Sequence, residues 1–257
     1  MTAPTAPPSR RRWFRFGPAD RGRGASGIAW FAIGGLLAVT GLAWGTLQTV
    51  GVLAHEERNE RAVRPAEGIE LLEIRSDQGR VDLVPGDEGV VVVAAEISDG
   101  LVATDFEATA QDGTLLIRVG CSWLSGPWCR ADLRIEVPPS LAVDVRTDTG
   151  RITAVDLAGS LRASSDTGSI RAAGLSSSTV EANSGAGEVE LRFAEAPDAV
   201  RASSDARSVT VVVPDDQSTY RVDASSDAGS TRTEVRTDPS SPRTIEVRGS
   251  GGATVRY

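Results

Sequence analysis

Residues 145–152 read VRTDTGRI and residues 163–170 read ASSDTGSI. The same frame returns at 74–81 (IRSDQGRV), 182–189 (ANSGAGEV), 202–209 (ASSDARSV) and 224–231 (ASSDAGST), with a looser copy, VRGSGGAT, at 247–254. Aligned on residues 150, 168, 187, 207, 229 and 252, successive copies lie 18, 19, 20, 22 and 23 residues apart. A slowly drifting period near 20 marks units too small to bury their own apolar face, which become stable only when stacked. Each copy centres on a tight turn. Asp77, Asp148, Asp166, Asp205 and Asp227 are expected to bond their own backbone there, and Gly79, Gly150, Gly168, Gly187 and Gly229 to permit the turn without a Cβ clash.

Outward from the turns, apolar residues alternate with polar ones, as in Leu161/Ala163, Val180/Ala182, Val200/Ala202 and Val209/Val211/Val213. Period two is the mark of strands with one buried face. No helical period appears from Ile69 onward. The pattern predicts an all-β domain over 69–257, a β-solenoid (β-helix-like) preceded by an N-terminal run of β-strands up to Val137. Small Ala and Ser at equivalent positions suit a thin core. Arg162, Arg201 and Arg221 fall at outward positions, where pairing with acids of neighbouring coils contributes about 0–1 kcal/mol each.

The repeated [Val/Ala]-x-[Ser/Thr]-Asp-x-Gly-x-[Val/Ile] turn resembles the bacterial "putative adhesin" family, a domain of unknown function. The resemblance covers about residues 69–257 and rests on the turns ending at Gly79, Gly150, Gly168, Gly187 and Gly229. Arg207 at a glycine position and Gly185 at an aspartate position depart from it. The resemblance implies a β-solenoid-like domain at the bacterial cell surface without enzymatic activity. The family's name implies adhesion.

The rest of the chain explains how such a domain is displayed. Residues 1–26 hold six arginines and one acid, residues 28–54 hold no charge, and residues 55–257 hold 21 arginines and 34 acids. Residues 27–54 are long enough for a transmembrane helix, which needs roughly 20 apolar residues. Basic flanks stay inside the cell. The prediction is a single span with a basic, disordered cytoplasmic tail at 1–26, a juxtamembrane linker at 55–68 and an extracellular C-terminal domain. A cleavable signal peptide is the rival reading, but its apolar core runs only about 7–15 residues. Gly41 and Gly45 have the spacing of a helix-pairing motif, which simple composition also explains. The acidic outer part, net −13 from those counts, repels polyanions and argues against nucleic acid as its partner.

Cys121 and Cys129, the only cysteines, are expected to form a disulfide, since both fall in the exported part. Between them lie Trp123 and Trp128. They read either as an aromatic knob for a partner, a cell-envelope glycan or protein, or as a cover for an open sheet edge. The turn aspartates could line up for calcium, yet calcium needs six to eight converging oxygens and the dense glycine-aspartate repeat of calcium-binding solenoids is missing. No metal or other cofactor is expected. With no lysine and one histidine, His55, beside the membrane segment, a nucleophile of the Ser-His-Asp or Cys-His kind has no base. The reading is a non-enzymatic, membrane-anchored surface protein acting in adhesion or cell-envelope interaction. The alternative is an envelope-stress sensor or regulatory membrane protein signalling through the single helix.

Overall fold

A computed structural model describes residues 56–99, 104–121 and 129–257. The expected tail and transmembrane helix at 1–54, His55, and Trp123 and Trp128 lie outside the described residues. Among the described residues no helix is long and apolar enough to cross a membrane, and the described chain is all-β.

Most of the chain is organised as strand pairs joined by a corner. They are β2 (Leu71–Gln78) with β3 (Val81–Pro85), β6 (Thr114–Gly120) with β7 (Arg130–Val137), and β8 (Ala142–Thr149) with β9 (Ile152–Val155). Next come β10 (Leu161–Ser165) with β11 (Ile170–Leu175), β12 (Thr179–Ser184) with β13 (Val189–Phe193), and β14 (Ala199–Ser204) with β15 (Ser208–Val212). The last are β16 (Arg221–Ser225) with β17 (Thr231–Glu234) and β18 (Thr244–Gly249) with β19 (Gly252–Arg256). The first strand of every pair belongs to one sheet and the second to the other. Neighbouring pairs run parallel and in register. Leu161 faces both Val143 and Val180, and Ile170 faces both Ile152 and Val189.

That register turns the alternation of the sequence into columns. Leu72, Val143, Leu161, Val180, Val200 and Ile245 form one inward column, and Val81, Ile152, Ile170, Val189 and Val209 face it from the other sheet, all buried. Every inward residue expected from the sequence is buried, Leu161 to Val213 alike. Burying each Val or Leu contributes roughly 1.5–3 kcal/mol, so stability accumulates with each added pair.

The stacking order departs from chain order at both ends. The pair β6/β7 lies outside β2/β3, and β18/β19 inserts between β14/β15 and β16/β17. Composition explains the second exchange. Ile245, Val247, Ala253 and Val255 of β18/β19 are fully apolar and buried, whereas β16 offers only the half-buried Val222 and Ala224 and β17 only exposed threonines facing the core. The more apolar pair takes the interior and the weaker one the edge.

Beyond β6/β7 the parallel stack ends in antiparallel strands. β4 (Val90–Asp99) pairs with β7, β1 (Glu56–Pro65) with β4, and β5 (Asp105–Gln111) with β6. Residues 55–68, expected as a linker, therefore mostly form strand β1. Their charges hid it: every second residue, Arg58, Glu60, Ala62 and Arg64, is half-buried while its neighbours are exposed. Charged strands at a sheet edge also discourage pairing with other chains.

Candidate functional site

At four corners the turn is closed by a serine hydroxyl rather than by an aspartate. Ser165 continues the inward series of Leu161 and Ala163 and is buried. Its Oγ accepts the Gly168 N–H (2.8 Å) and donates to the Gly150 carbonyl of the preceding corner (3.1 Å). Ser184 repeats this with the Gly187 N–H (2.8 Å) and the Gly168 carbonyl (2.8 Å). Ser204 does so with the Arg207 N–H (3.0 Å) and the Gly187 carbonyl (2.7 Å). One buried side chain thus closes its own turn and ties it to the next. The turn role expected of Asp166, Asp205 and Asp227 belongs to the residue before each, Ser165, Ser204 and Ser226, because only that residue has the parity to point inward. At the first two corners, the buried Ser76 Oγ and Thr147 Oγ1 make no such bond.

The glycines have a different reason from the one expected. Gly79 does adopt a left-handed φ of 128°, but Gly150, Gly168, Gly187 and Gly229 do not. A Cβ at any of these four would lie well under 3.0 Å from a backbone carbonyl of the adjacent corner. Parallel strands sit only about 4.8 Å apart, and the corners approach as closely as the strands do. Backbone bonds run around the bend as well, with Thr167 N–H donating to the Asp148 carbonyl and Ala186 N–H to the Asp166 carbonyl. Arg207, in a glycine position, stacks against a corner whose close-approach residues are Gly249, Gly251 and Gly252, which leaves bare backbone beside it.

Asp77, Asp148 and Asp166 occupy consecutive corners. Slight burial, then repulsion from Asp77 and Asp166, raises the Asp148 carboxyl above its ordinary value. Gly185 interrupts the column before Asp205, and Ser250, which donates to Asp227 Oδ2 (3.1 Å), separates Asp205 from Asp227. Among the described residues no three His, Cys, Asp or Glu gather as a metal site.

Cys121 and Cys129 are bridged. The bridge closes the corner between β6 and β7, where no Ser-Asp-x-Gly turn exists. Cys129 is fully buried, its sulfur accepts from the Thr104 hydroxyl (3.3 Å), and the Cys121 N–H donates to Asp77 Oδ2 (2.7 Å). The disulfide corner is thereby tied to the first aspartate of the column.

No family model and no curated protein matches the chain. Among solved structures it is similar to a "putative cell adhesion protein" from Clostridium sporogenes, at 13% identity over 78% of this chain and 98% of that one, with a TM-score of 0.48. It is also similar to a "putative adhesin" from Bacteroides fragilis, at 12% identity over 78% and 97% of the two chains, with a TM-score of 0.43. Identity this low carries no residue-level correspondence.

On the outer faces, arginines pair with acids across neighbouring strands as expected. Arg162 meets Glu181 at 3.0 Å, and Arg201 meets Glu246 at 3.1 Å. The bond from Arg162 is the main reason the Glu181 carboxyl sits below its ordinary value. The outward position of Arg221 is also as read from the sequence.

Proposed function

We propose that this chain is a non-enzymatic bacterial surface protein. Its tail at 1–26 is cytoplasmic, a single transmembrane helix at 27–54 anchors it in the cell membrane, and an extracellular β-solenoid domain engages the cell envelope or a neighbouring surface. The observation that carries this reading is the Cys121–Cys129 bridge. Disulfides persist in oxidising compartments, and this one lies on the opposite side of the apolar run from the six tail arginines. The in-register parallel stacking of two-strand units supports the solenoid description. A long, repetitive β surface on a tether suits contact with extended partners. In this reading Trp123 and Trp128, within the bridged loop, contribute to binding an envelope glycan or protein, since aromatic anchors carry much of the energy of such contacts.

Protease added to intact cells tests the topology. The domain after residue 55 is expected to be digested while an epitope at the N-terminus is protected; a protected domain would refute the reading. Capture of the full-length protein, in neutral detergent, on purified cell-wall glycan tests the partner. Trp123→Ala with Trp128→Ala is expected to weaken capture at least tenfold. Capture that does not change would remove the tryptophans from the site.

A further inference from the structure

Two consecutive corners, from β2/β3 and β8/β9, together with Cys129 and Arg130 at the start of β7, line an open concavity of about 310 Å³. Its lining includes Gly79, Gly150 and Cys129 and three arginines, Arg80, Arg130 and Arg151. No acid lines it. This is unusual ground in a region that holds 34 acids and only 21 arginines.

Register explains the cluster. Val81 faces Leu133 on one side and Ile152 on the other. The residues just before them, Asp132, Arg80 and Arg151, are therefore neighbours on the outer face, about 4.8 Å apart from strand to strand. Asp132 is already engaged: its Oδ1 accepts the Arg80 backbone N–H (2.8 Å) and Arg130 Nε (3.1 Å). Arg151 Nε donates to the neutral Ser169 Oγ (3.3 Å). Among the described residues neither the Arg80 nor the Arg151 guanidinium has an acidic partner within ion-pair distance. Two adjacent cations repel, and an anion between them reverses the sign. Gly79 and Gly150 bring no side chain to the space, and stacking against the neighbouring backbone forbids a Cβ at either. Cys129 is fixed by its disulfide.

We propose that Arg80, Arg130 and Arg151 form a binding site for a phosphate-class oxyanion, either free or carried as a phosphodiester on an envelope polymer. Guanidinium forks match tetrahedral oxyanions through paired, charge-assisted hydrogen bonds. The two glycines leave room for the anion between the forks. The site does not depend on where the domain is displayed, so its failure would leave the surface reading standing.

The test is calorimetric titration of the full-length protein, in neutral detergent, with inorganic phosphate at constant ionic strength. A second titration uses a glycerol-phosphate oligomer. The expected result is saturable phosphate binding that weakens at least tenfold in Arg80→Gln with Arg151→Gln. Arg162→Gln with Arg201→Gln, remote on the other sheet, should leave it unchanged. Tighter binding of the oligomer assigns the site to a polymer, and equal or weaker binding assigns it to the free anion. Thermal midpoints show that each variant is folded, and Arg80→Lys with Arg151→Lys, which keeps the charge, should bind between wild type and the Gln pair. No saturable binding by the wild type, or equal binding by the Gln pair, overturns the proposal.

Discussion

Replacing Gly168 by alanine should damage this protein far more than one methyl group normally does. The new Cβ would fall well under 3.0 Å from the Gly150 carbonyl and from Ser165 Oγ. Neither can retreat while the strands remain hydrogen bonded about 4.8 Å apart. Relief requires the corners to part. That disturbs the Ser165 bonds to Gly150 and Gly168, at 3.1 and 2.8 Å, and the Ser184 bond to the Gly168 carbonyl, at 2.8 Å. Overpacking costs about 1–3 kcal/mol, and each disturbed hydrogen bond adds about 1 kcal/mol. Allowing for partial relaxation, the expected loss is about 3–5 kcal/mol. Gly89→Ala is the control, because nothing lies within 4 Å of its Cβ position, and its effect should stay within about 0.5 kcal/mol. Urea unfolding of the full-length protein, followed by circular dichroism, compares the two. Stacked repeats need not unfold in one step, so midpoints and slopes are both read. If Gly168→Ala were no more destabilising than Gly89→Ala, close corner stacking would be the wrong reason for the glycines.

Ser184→Ala leaves the buried Gly187 N–H and Gly168 carbonyl without their shared partner, a loss of about 1–3 kcal/mol. Ser203→Ala, one residue from the Ser204 corner and on the outer face, loses only its hydrogen bond to Asn183 Oδ1 (2.8 Å) and should cost less than Ser184→Ala, about 0.5–1 kcal/mol, in the same unfolding assay. Reducing the Cys121–Cys129 bridge, which spans eight positions, should lower stability by about 2–3 kcal/mol on the chain-entropy account, read as a midpoint shift with and without reductant. For Asp148 the sign follows from its raised carboxyl. The folded state binds the proton more tightly than the unfolded one, so wild type gains stability as pH falls through the folded value. Asp148→Asn should therefore be the more stable form at neutral pH and low salt, by no more than about a few tenths of a kcal/mol, because the carboxylate is largely exposed and solvent screens the repulsion. That advantage should vanish in acid below the ordinary carboxyl value of 3.8, as pH-dependent melting would reveal.

The repeat made the strands and corners readable because parity and period survive in the sequence. Leu161, Ala163 and Ser165 lie two residues apart, so the same alternation that buries the first two also turns the serine inward. Aspartate also bonds its own backbone in turns, so the sequence alone supports either residue as the one that closes the corner. Strand β1 was hidden for a chemical reason, since its half-buried face is made of Arg58, Glu60 and Arg64 as well as Ala62. The arginine concavity had a trace in the repeats, Gly79-Arg80 and Gly150-Arg151. It becomes a site only when the disulfide corner brings Arg130 beside them, and that neighbour is 50 residues from Arg80 by number. The order of the stack was not legible, because similar units can pair in any order that the loops permit. Only the weak apolar content of β16 and β17 pointed to an edge.

That order is open to a direct measurement. Ser203 of β14 faces Arg248 of β18 across one strand spacing, and Ser225 of β16 lies on the far side of Arg248. Cysteines at adjacent strand positions fall within the roughly 4.4–6.8 Å Cα separation that a disulfide spans, whereas a double spacing of about 9.6 Å does not. Ser203→Cys with Arg248→Cys should oxidise to a bridged peptide pair, identified by mass spectrometry of the unreduced digest. Ser203→Cys with Ser225→Cys should remain as free thiols. A bridge between 203 and 225, with none between 203 and 248, would mean that the corners pile up in simple chain order and would contradict the exchanged stack.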